Sequence, residues 1–144
     1  HYEDGVYYGG NPELEFVGDP SDSHGYGVYQ KPIIEVANKF KSGMIDYTGH
    51  SLDEVLAIVK KGIPVQIWAS VNMQNTDICT NWIYKETGKK INWICKLHSV
   101  VVIGFNKNKV IVSDSYTGKI VSYNRKQVEK IYNLYGKRAI YYPY

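Results

Sequence analysis

The spacing of apolar residues changes along the chain from a helical period to a strand period. In residues 32–42 and 52–61 the apolar positions recur three and four residues apart, which is typical of amphipathic helices. The second segment has defined ends, because Ser51 and Glu54 form a capping-box pair at its start and Gly62 follows its last turn. The pattern therefore predicts two helices in the first half of the chain.

From residue 63 onward, short runs of apolar and β-branched residues are separated by turn residues, which is typical of strands. We predict strands at 63–69, 98–105, 109–114, 119–123 and 138–142, and a short helix over 125–133. Residues 1–30 are rich in Gly, Asp, Pro and Ser and predict a long irregular loop. Helices followed by an antiparallel sheet indicate an α+β fold, which we expect to form one domain over residues 1–144.

The segment 79–95 predicts a β-hairpin whose three-residue turn is Glu86–Gly88. This register places Cys79 opposite Cys95, and opposed strand residues have Cβ atoms about 4.5–5.5 Å apart, close enough for a disulfide after modest adjustment. A bridge closing a loop of ~15 residues adds ~3 kcal/mol in the chain-entropy model. We expect this disulfide, and with it an exported protein.

A nucleophilic thiol is the alternative use of either cysteine. A papain-type thiolate normally gains from a helix N-terminus that lowers its pKa. Cys95 instead lies in a predicted strand, where alternation directs it away from His98, and Cys79 heads a strand after a polar loop. Neither position is typical of a thiolate pocket.

Charge and composition exclude several classes of function. The 144 residues carry a net charge of +3, and their basic residues form no dense stripe, so we expect no nucleic-acid partner. No apolar run approaches the ~20 residues that span a bilayer. His1, His24 and His50 lack ligand spacing with the cysteines, so we expect no metal and no cofactor. The chain begins with His1 rather than Met, which indicates a processed product, a fragment or a truncated form.

One histidine and one aspartate are the candidates for catalysis. His98 begins a predicted strand and Asp114 ends the next one, beyond a tight turn. A hairpin turning near Lys107 places His98 opposite Ser115, one step from Asp114. We therefore expect the carboxylate to accept a hydrogen bond from Nδ1 of His98 and to fix its tautomer, although a lone histidine at a strand start is more often structural.

Several segments, taken in order, resemble the papain-like cysteine peptidases of the bacteriocin-leader (double-glycine) type, in their exported bacterial branch. They are GGNPELEFVGDP (9–20), SLDEVLAIVKKGIPVQIW (51–68), LHSVVVIGF (97–105), VIVSDSYTGK (110–119) and RAIYY (138–142). The resemblance covers nearly the whole chain, and the order of the motifs makes it more specific than any one of them. It implies a papain-like fold in which His98 is the general base and acid and Asp114 orients it.

The chain departs from this family in one important respect. The family's nucleophilic cysteine heads a helix upstream of every motif seen here, usually after an oxyanion-hole glutamine, and no such segment lies between His1 and His98. Asp114 is also followed by Ser115, where the family usually has proline. The resemblance thus implies the C-terminal two-thirds of a peptidase domain that is inactive alone. We expect it to pair with the missing N-terminal segment or another chain, and to act on a peptide or protein substrate.

Two other interpretations stay open at this point. The chain is alternatively a non-catalytic relative, a pseudo-peptidase that binds peptides or cell-wall material, and a cysteine heading the missing helix would distinguish the two. The third interpretation is a structural α+β domain in which His98 and Asp114 are incidental, and a structure that separates the two side chains would favour it.

Overall fold

The computed structural model describes residues 1–143, so Tyr144, the last residue of the predicted domain, lies outside the described residues. The helices are α1 (Gln30–Phe40), α2 (Leu52–Lys60) and α3 (Arg125–Leu134). The strands are β1 (Tyr2–Glu3), β2 (Val6–Tyr7), β3 (Ile45–Asp46), β4 (Val65–Ser70), β5 (Ile78–Tyr84), β6 (Lys89–Ile94), β7 (Leu97–Phe105), β8 (Lys109–Asp114), β9 (Lys119–Asn124) and β10 (Ala139–Tyr141).

Six strands form the main sheet in the order β3-β10-β4-β7-β8-β9, and every neighbouring pair is antiparallel. The β5–β6 hairpin and the β1–β2 hairpin are separate two-stranded sheets. Helices α2 and α3 pack on the central strands of the main sheet. The α+β class predicted from the sequence is confirmed.

The hydrophobic core lies between α2, α3 and the central strands. Its fully buried side chains come from the apolar stripes of these elements: Leu52, Val55, Leu56, Val65, Ile67, Val102, Val110, Val112, Val128, Ile131, Tyr132 and Ile140. The capping box predicted for α2 is confirmed, because the Ser51 hydroxyl accepts from the Glu54 amide at 3.2 Å and the Glu54 carboxylate accepts from the Ser51 amide at 3.1 Å.

Helix α1 is packed differently from the other two. It begins at Gln30, two residues before the predicted start, because proline is tolerated anywhere in a first turn whose amides have no helical acceptor. Its main contacts are with the short strands β3 and β10, and Gln30 is its one buried residue. Ile33 and Ile34 pack against the core, whereas Val36 is 54% exposed and Phe40 88% exposed, so the second half of the apolar stripe of α1 is uncovered.

The turn between β5 and β6 differs from the prediction by one residue. Tyr84 pairs with Lys89, so the loop is the four residues 85–88 rather than three. Gly88 ends the loop in the left-handed region, at φ 70°, and donates its amide hydrogen to the Tyr84 carbonyl at 2.8 Å. A glycine in this conformation is compatible with a three-residue or a four-residue loop, so it does not by itself determine how β5 and β6 pair.

Despite this shift, the hairpin joins Cys79 and Cys95 in a disulfide with a Cα–Cα distance of 5.7 Å. A bulge between Ile78 and Thr80 displaces Cys79 from the regular register, and Cys95 lies one residue beyond the end of β6. The two cysteines are bonded as predicted, but they are not directly opposite in the register, since the Cys95 amide donates to the Asp77 carbonyl at 3.2 Å.

Candidate active site

His98 and Asp114 lie on the same face of neighbouring strands. Val102 of β7 pairs with Val112 of β8, so Asp114 falls opposite Val100, the residue two positions beyond His98 on that face. The predicted register, with Ser115 opposite His98, is wrong by one residue, because a bulge between Val102 and Gly104 shifts the pairing. The shift matters, since a one-residue slip moves a side chain to the other face of the sheet.

The two side chains form a short hydrogen bond, with 2.7 Å between Nε2 of His98 and Oδ1 of Asp114. The predicted contact was through Nδ1. The structure instead uses Nε2, the far ring nitrogen, because it must span the gap to the next strand. Nδ1 makes no hydrogen bond to any other residue in the described range 1–143. The ring is thereby held at one nitrogen and left available at the other.

Asp114 is 2% exposed, yet its surroundings favour the carboxylate. Burial, the largest single effect, raises the pKa of Asp114, but the hydrogen bonds from His98 and from the Tyr116 and Thr117 amides together hold that pKa below its ordinary value. Oδ1 accepts from the Tyr116 amide at 2.9 Å, while Oδ2 is buried without a hydrogen-bond partner among the described residues. The group is therefore an ionised, fixed acceptor for the imidazole.

A small cleft of about 240 Å³ opens beside His98. The loop that precedes α1 contributes Phe16 and Tyr26 to its wall, so this loop borders the candidate site. The Trp68 indole holds the loop to the sheet by donating to the Val28 carbonyl at 2.9 Å. Sequence reasoning did not single out these cleft residues. Gln66, the one polar residue inside the apolar run of β4, was the available signal, and it also lines the cleft.

The segment just before His98 is held on several sides. The disulfide ends at Cys95, whose carbonyl accepts hydrogen bonds from the Tyr135 hydroxyl and, at 3.0 Å, from the Thr76 hydroxyl. Lys96 adopts a left-handed conformation, at φ 63°, before the strand that carries His98 begins. Both cysteines of the chain are consumed in this bridge, so neither offers a thiol to His98 in the structure.

Residues 1–143 contain neither a group of metal-binding side chains nor a helix that could span a membrane. No three His, Cys, Asp or Glu side chains are grouped there in a way that could hold a metal ion. None of the helices described above is long and apolar enough to cross a membrane.

Comparison with known proteins decides the family. The model of the Peptidase_C39 like family matches residues 2–140. The chain belongs to the C39-like peptidase family. A crystal structure of a Bacillus anthracis protein described as a C39-like peptidase superposes with a TM-score of 0.81 and 31% identity, over 99% of this chain and 72% of that one. The papain-like fold and the family membership predicted from the motifs are confirmed.

A curated relative is similar at the sequence level. The uncharacterized protein YvpB of Bacillus subtilis strain 168 is 31% identical over 132 residues, which cover 91% of this chain and 52% of YvpB. The C39-like chain therefore spans about half the length of this relative.

Proposed function

We propose that this C39-like chain supplies the general base and its orienting carboxylate to a cysteine peptidase. The observation that carries the proposal is the 2.7 Å hydrogen bond from His98 to a buried, ionised Asp114 beside a cleft. Such a pair is what a thiol nucleophile needs to become a thiolate near neutral pH. Membership of the C39-like family supports the same chemistry.

The proposed reaction proceeds in two stages. His98 removes the thiol proton, sulfur bonds to the peptide carbonyl carbon, and the carbon–nitrogen bond breaks as the imidazolium returns the proton to the leaving amine. Water then cleaves the thioester with His98 again acting as base. Nδ1 is the ring atom assigned to the thiol, because Nε2 is bound to Asp114. Asp114 fixes the tautomer and stabilises the imidazolium.

The thiol must come from outside residues 1–144, since the two cysteines are joined to each other. We infer that the segment carrying it covers the exposed apolar stripe of α1, where Val36 and Phe40 are 54% and 88% exposed. Apolar stripes of this kind mark an interaction surface. The chain alone is then inactive, and its partner is the preceding segment or another chain.

We further propose that the protein works outside the cytoplasm, at the cell surface or in the medium of a bacterium. The Cys79–Cys95 disulfide supports this location, because such bridges persist mainly in oxidising compartments. A thiol count on the protein taken from its native source is the measurement. Two free thiols in the hairpin would contradict the location.

The test of the peptidase proposal uses the full-length protein and a mixture of peptides analysed by mass spectrometry. Cleavage should stop after alkylation with iodoacetamide, and His98→Ala should lower kcat/KM by about 10²–10⁴-fold, the usual contribution of a positioned acid–base group. His24→Ala is the matched control, because His24 lies on an exposed loop and pairs only with its neighbours Asp22 and Ser23. Full peptide cleavage by His98→Ala would refute the assignment.

A second candidate, a non-catalytic domain that binds peptides or cell-wall material, is favoured by the lack of any free thiol in the described residues. The residue that heads the helix upstream in the complete coding sequence distinguishes the two. Cysteine at that position supports the peptidase, whereas serine or alanine there supports a binding domain that has kept the His98–Asp114 pair.

A further inference from the structure

A second cleft lies next to the one at His98, and the side chain of Tyr26 lines both. We name it the aromatic cleft and define it by Tyr7, Tyr8, Tyr26, Trp82, Thr80 and Asn81. Its volume is about 560 Å³, against about 240 Å³ for the cleft at His98. Tyr26 therefore connects the walls of the two clefts.

Four aromatic residues, Tyr7, Tyr8, Tyr26 and Trp82, line the aromatic cleft together with His1, whose Nε2 lies 3.1 Å from the Glu3 carboxylate. The Tyr26 ring lies 5.0 Å from that of Trp82 and meets Trp93 edge-on at 5.5 Å. Among the described residues that line the cleft there is no Lys, Arg, Asp or Glu. Rings in tilted and edge-to-face arrangements favour another ring, whereas a charged side chain would lose its hydration without gaining a partner.

The shape of the cleft depends on close packing of backbone against the indole. A Cβ atom added to Gly9 would lie 2.8 Å from the Trp82 ring, so only glycine permits this approach. The indole also donates to the Gly10 carbonyl at 2.7 Å, and Trp82 is only 6% exposed. Its face is therefore not a free platform for a flat sugar ring. The more exposed rings that border the cleft are those of Tyr7 and Tyr26, which are 63% and 45% exposed.

Polar groups are available for the backbone of a bound peptide. Thr80 and Asn81 are among the residues that line the cleft, and their side chains make no hydrogen bond to the rest of residues 1–143. The volume lies within the range of ~300–1,000 Å³ typical of ligand sites and leaves room for one bulky side chain with its adjoining peptide groups. Both observations fit a peptide ligand.

We infer that the aromatic cleft is a specificity subsite that binds an uncharged aromatic side chain of the peptide substrate. The subsite lies a few residues along the substrate from the bond cleaved at His98, since an extended chain advances only ~3.3–3.6 Å per residue. The inference rests on the proposed peptidase function and names the substrate class for that site.

The test uses the full-length protein and matched peptides that differ only by Phe, Ala or Glu at one position, moved stepwise around the cleaved bond. We expect Phe to raise kcat/KM over Ala by about tenfold at a single position, and Glu to lower it. Tyr7→Ala, at a position that is 63% exposed and lines the aromatic cleft but not the cleft at His98, should bring the Phe/Ala ratio near one. Ile120→Ala, 68% exposed and away from both clefts, is the control and should keep the ratio.

The possible outcomes distinguish failure of the proposed subsite from failure of the proposed peptidase activity. Cleavage of all peptides without any preference for Phe overturns the subsite and leaves the peptidase proposal standing. If no peptide is cleaved, the peptidase proposal fails, and the NMR signal of the Trp82 indole N–H then reports binding directly. A shift of this signal with a capped Phe peptide keeps the cleft as a site for aromatic side chains. A shift only with an N-acetylglucosamine oligosaccharide, or no shift, overturns it.

Discussion

His98 and Asp114 are hydrogen-bonded because both belong to the same face of neighbouring strands, two residues apart along the pairing register. The strand β7 carries His98, Val100 and Val102 on that face, and the two valines are 3% and 0% exposed. His98 is thus the outermost member of an otherwise buried row. This placement gives the imidazole a fixed partner in the sheet while its side chain stays 16% exposed.

Asp114→Asn should lower peptidase activity of the full-length protein far more than it lowers stability. An amide at this position can donate as well as accept and no longer selects the tautomer of His98, so we expect kcat/KM to fall by about 10²–10⁴-fold. Steady-state kinetics with a cleaved peptide is the measurement. Asp4→Asn, at an exposed position, is the control and should retain full activity. Equal activity of the two variants would mean that Asp114 has no catalytic role.

The capping box of α2 makes folding stability depend on pH. The hydrogen bond from His50, together with those from the Ser51 amide and hydroxyl, lowers the pKa of Glu54 from 4.5 to about 2. A carboxyl group whose pKa is lower in the folded than in the unfolded protein stabilises the fold at pH values above the unfolded pKa. This stabilisation is lost as the pH falls through the folded pKa. We therefore expect the contribution of Glu54 to disappear between pH 4.5 and 2, measured by urea unfolding.

Glu54→Gln provides the comparison for that experiment. The glutamine variant should be less stable than the parent at pH 6, and the difference between them should shrink by pH 2, where about half of Glu54 is protonated in the folded protein. A carboxyl NMR titration of Glu54 tests the cause directly. A midpoint near 4.5 would show that the capping interactions do not stabilise the carboxylate.

The disulfide should stabilise both the fold and the segment that leads to His98. The bridge spans 16 residues, and replacing both cysteines, Cys79→Ser with Cys95→Ser, should lower the free energy of unfolding by ~3 kcal/mol. The melting temperature and peptidase activity are the readouts, and adding reductant to the double variant should change neither. Reductant that leaves the parent protein equally stable would show that the bridge contributes little.

Much of the fold could be predicted because its local signals agree with its tertiary packing. The capping box at Ser51 and Glu54, the apolar stripes of α2 and α3 and the runs of β7 and β8 each indicate the element that forms. The part of the prediction that was wrong is the residue-by-residue pairing of the strands. The four-residue loop before Lys89 and the bulge beyond Val102 are set by contacts with other strands, and the local sequence does not encode them.

The candidate site was predictable only in part for a related reason. His98 and Asp114 stand at strand ends, where sequence order alone brings them near each other. The cleft residues Phe16 and Tyr26 come from an irregular loop, and nothing in their local pattern links them to His98, whereas Gln66 stands out only as a polar residue in an apolar run. A single sequence does not show where an irregular loop packs when its contacts are distant along the chain.

Arg138 lies outside the site and connects several elements, a role that its place at the start of the RAIYY motif did not reveal. Its guanidinium binds Glu13 at 2.6 Å and Gln30 at 2.7 Å and stacks on Tyr29 at 3.6 Å, so it joins the first loop and α1 to the last strand. Its side chain is 15% exposed, and breaking a largely buried pair costs about 3–5 kcal/mol. We expect Arg138→Met to lower the free energy of unfolding by about this amount.

The control for Arg138→Met is Arg125→Met. Arg125 pairs with Asp53, whose side chain is 74% exposed, so this substitution should lower the free energy of unfolding by less than about 1 kcal/mol. Adding Glu13→Gln to Arg138→Met should restore part of the lost stability, because Glu13 is otherwise left as an unpaired, partly buried charge. Urea unfolding of the four variants of this cycle measures the coupling. Strict additivity would show that Arg138 acts through its contacts with Tyr29 and Gln30 and that its pairing with Glu13 contributes nothing.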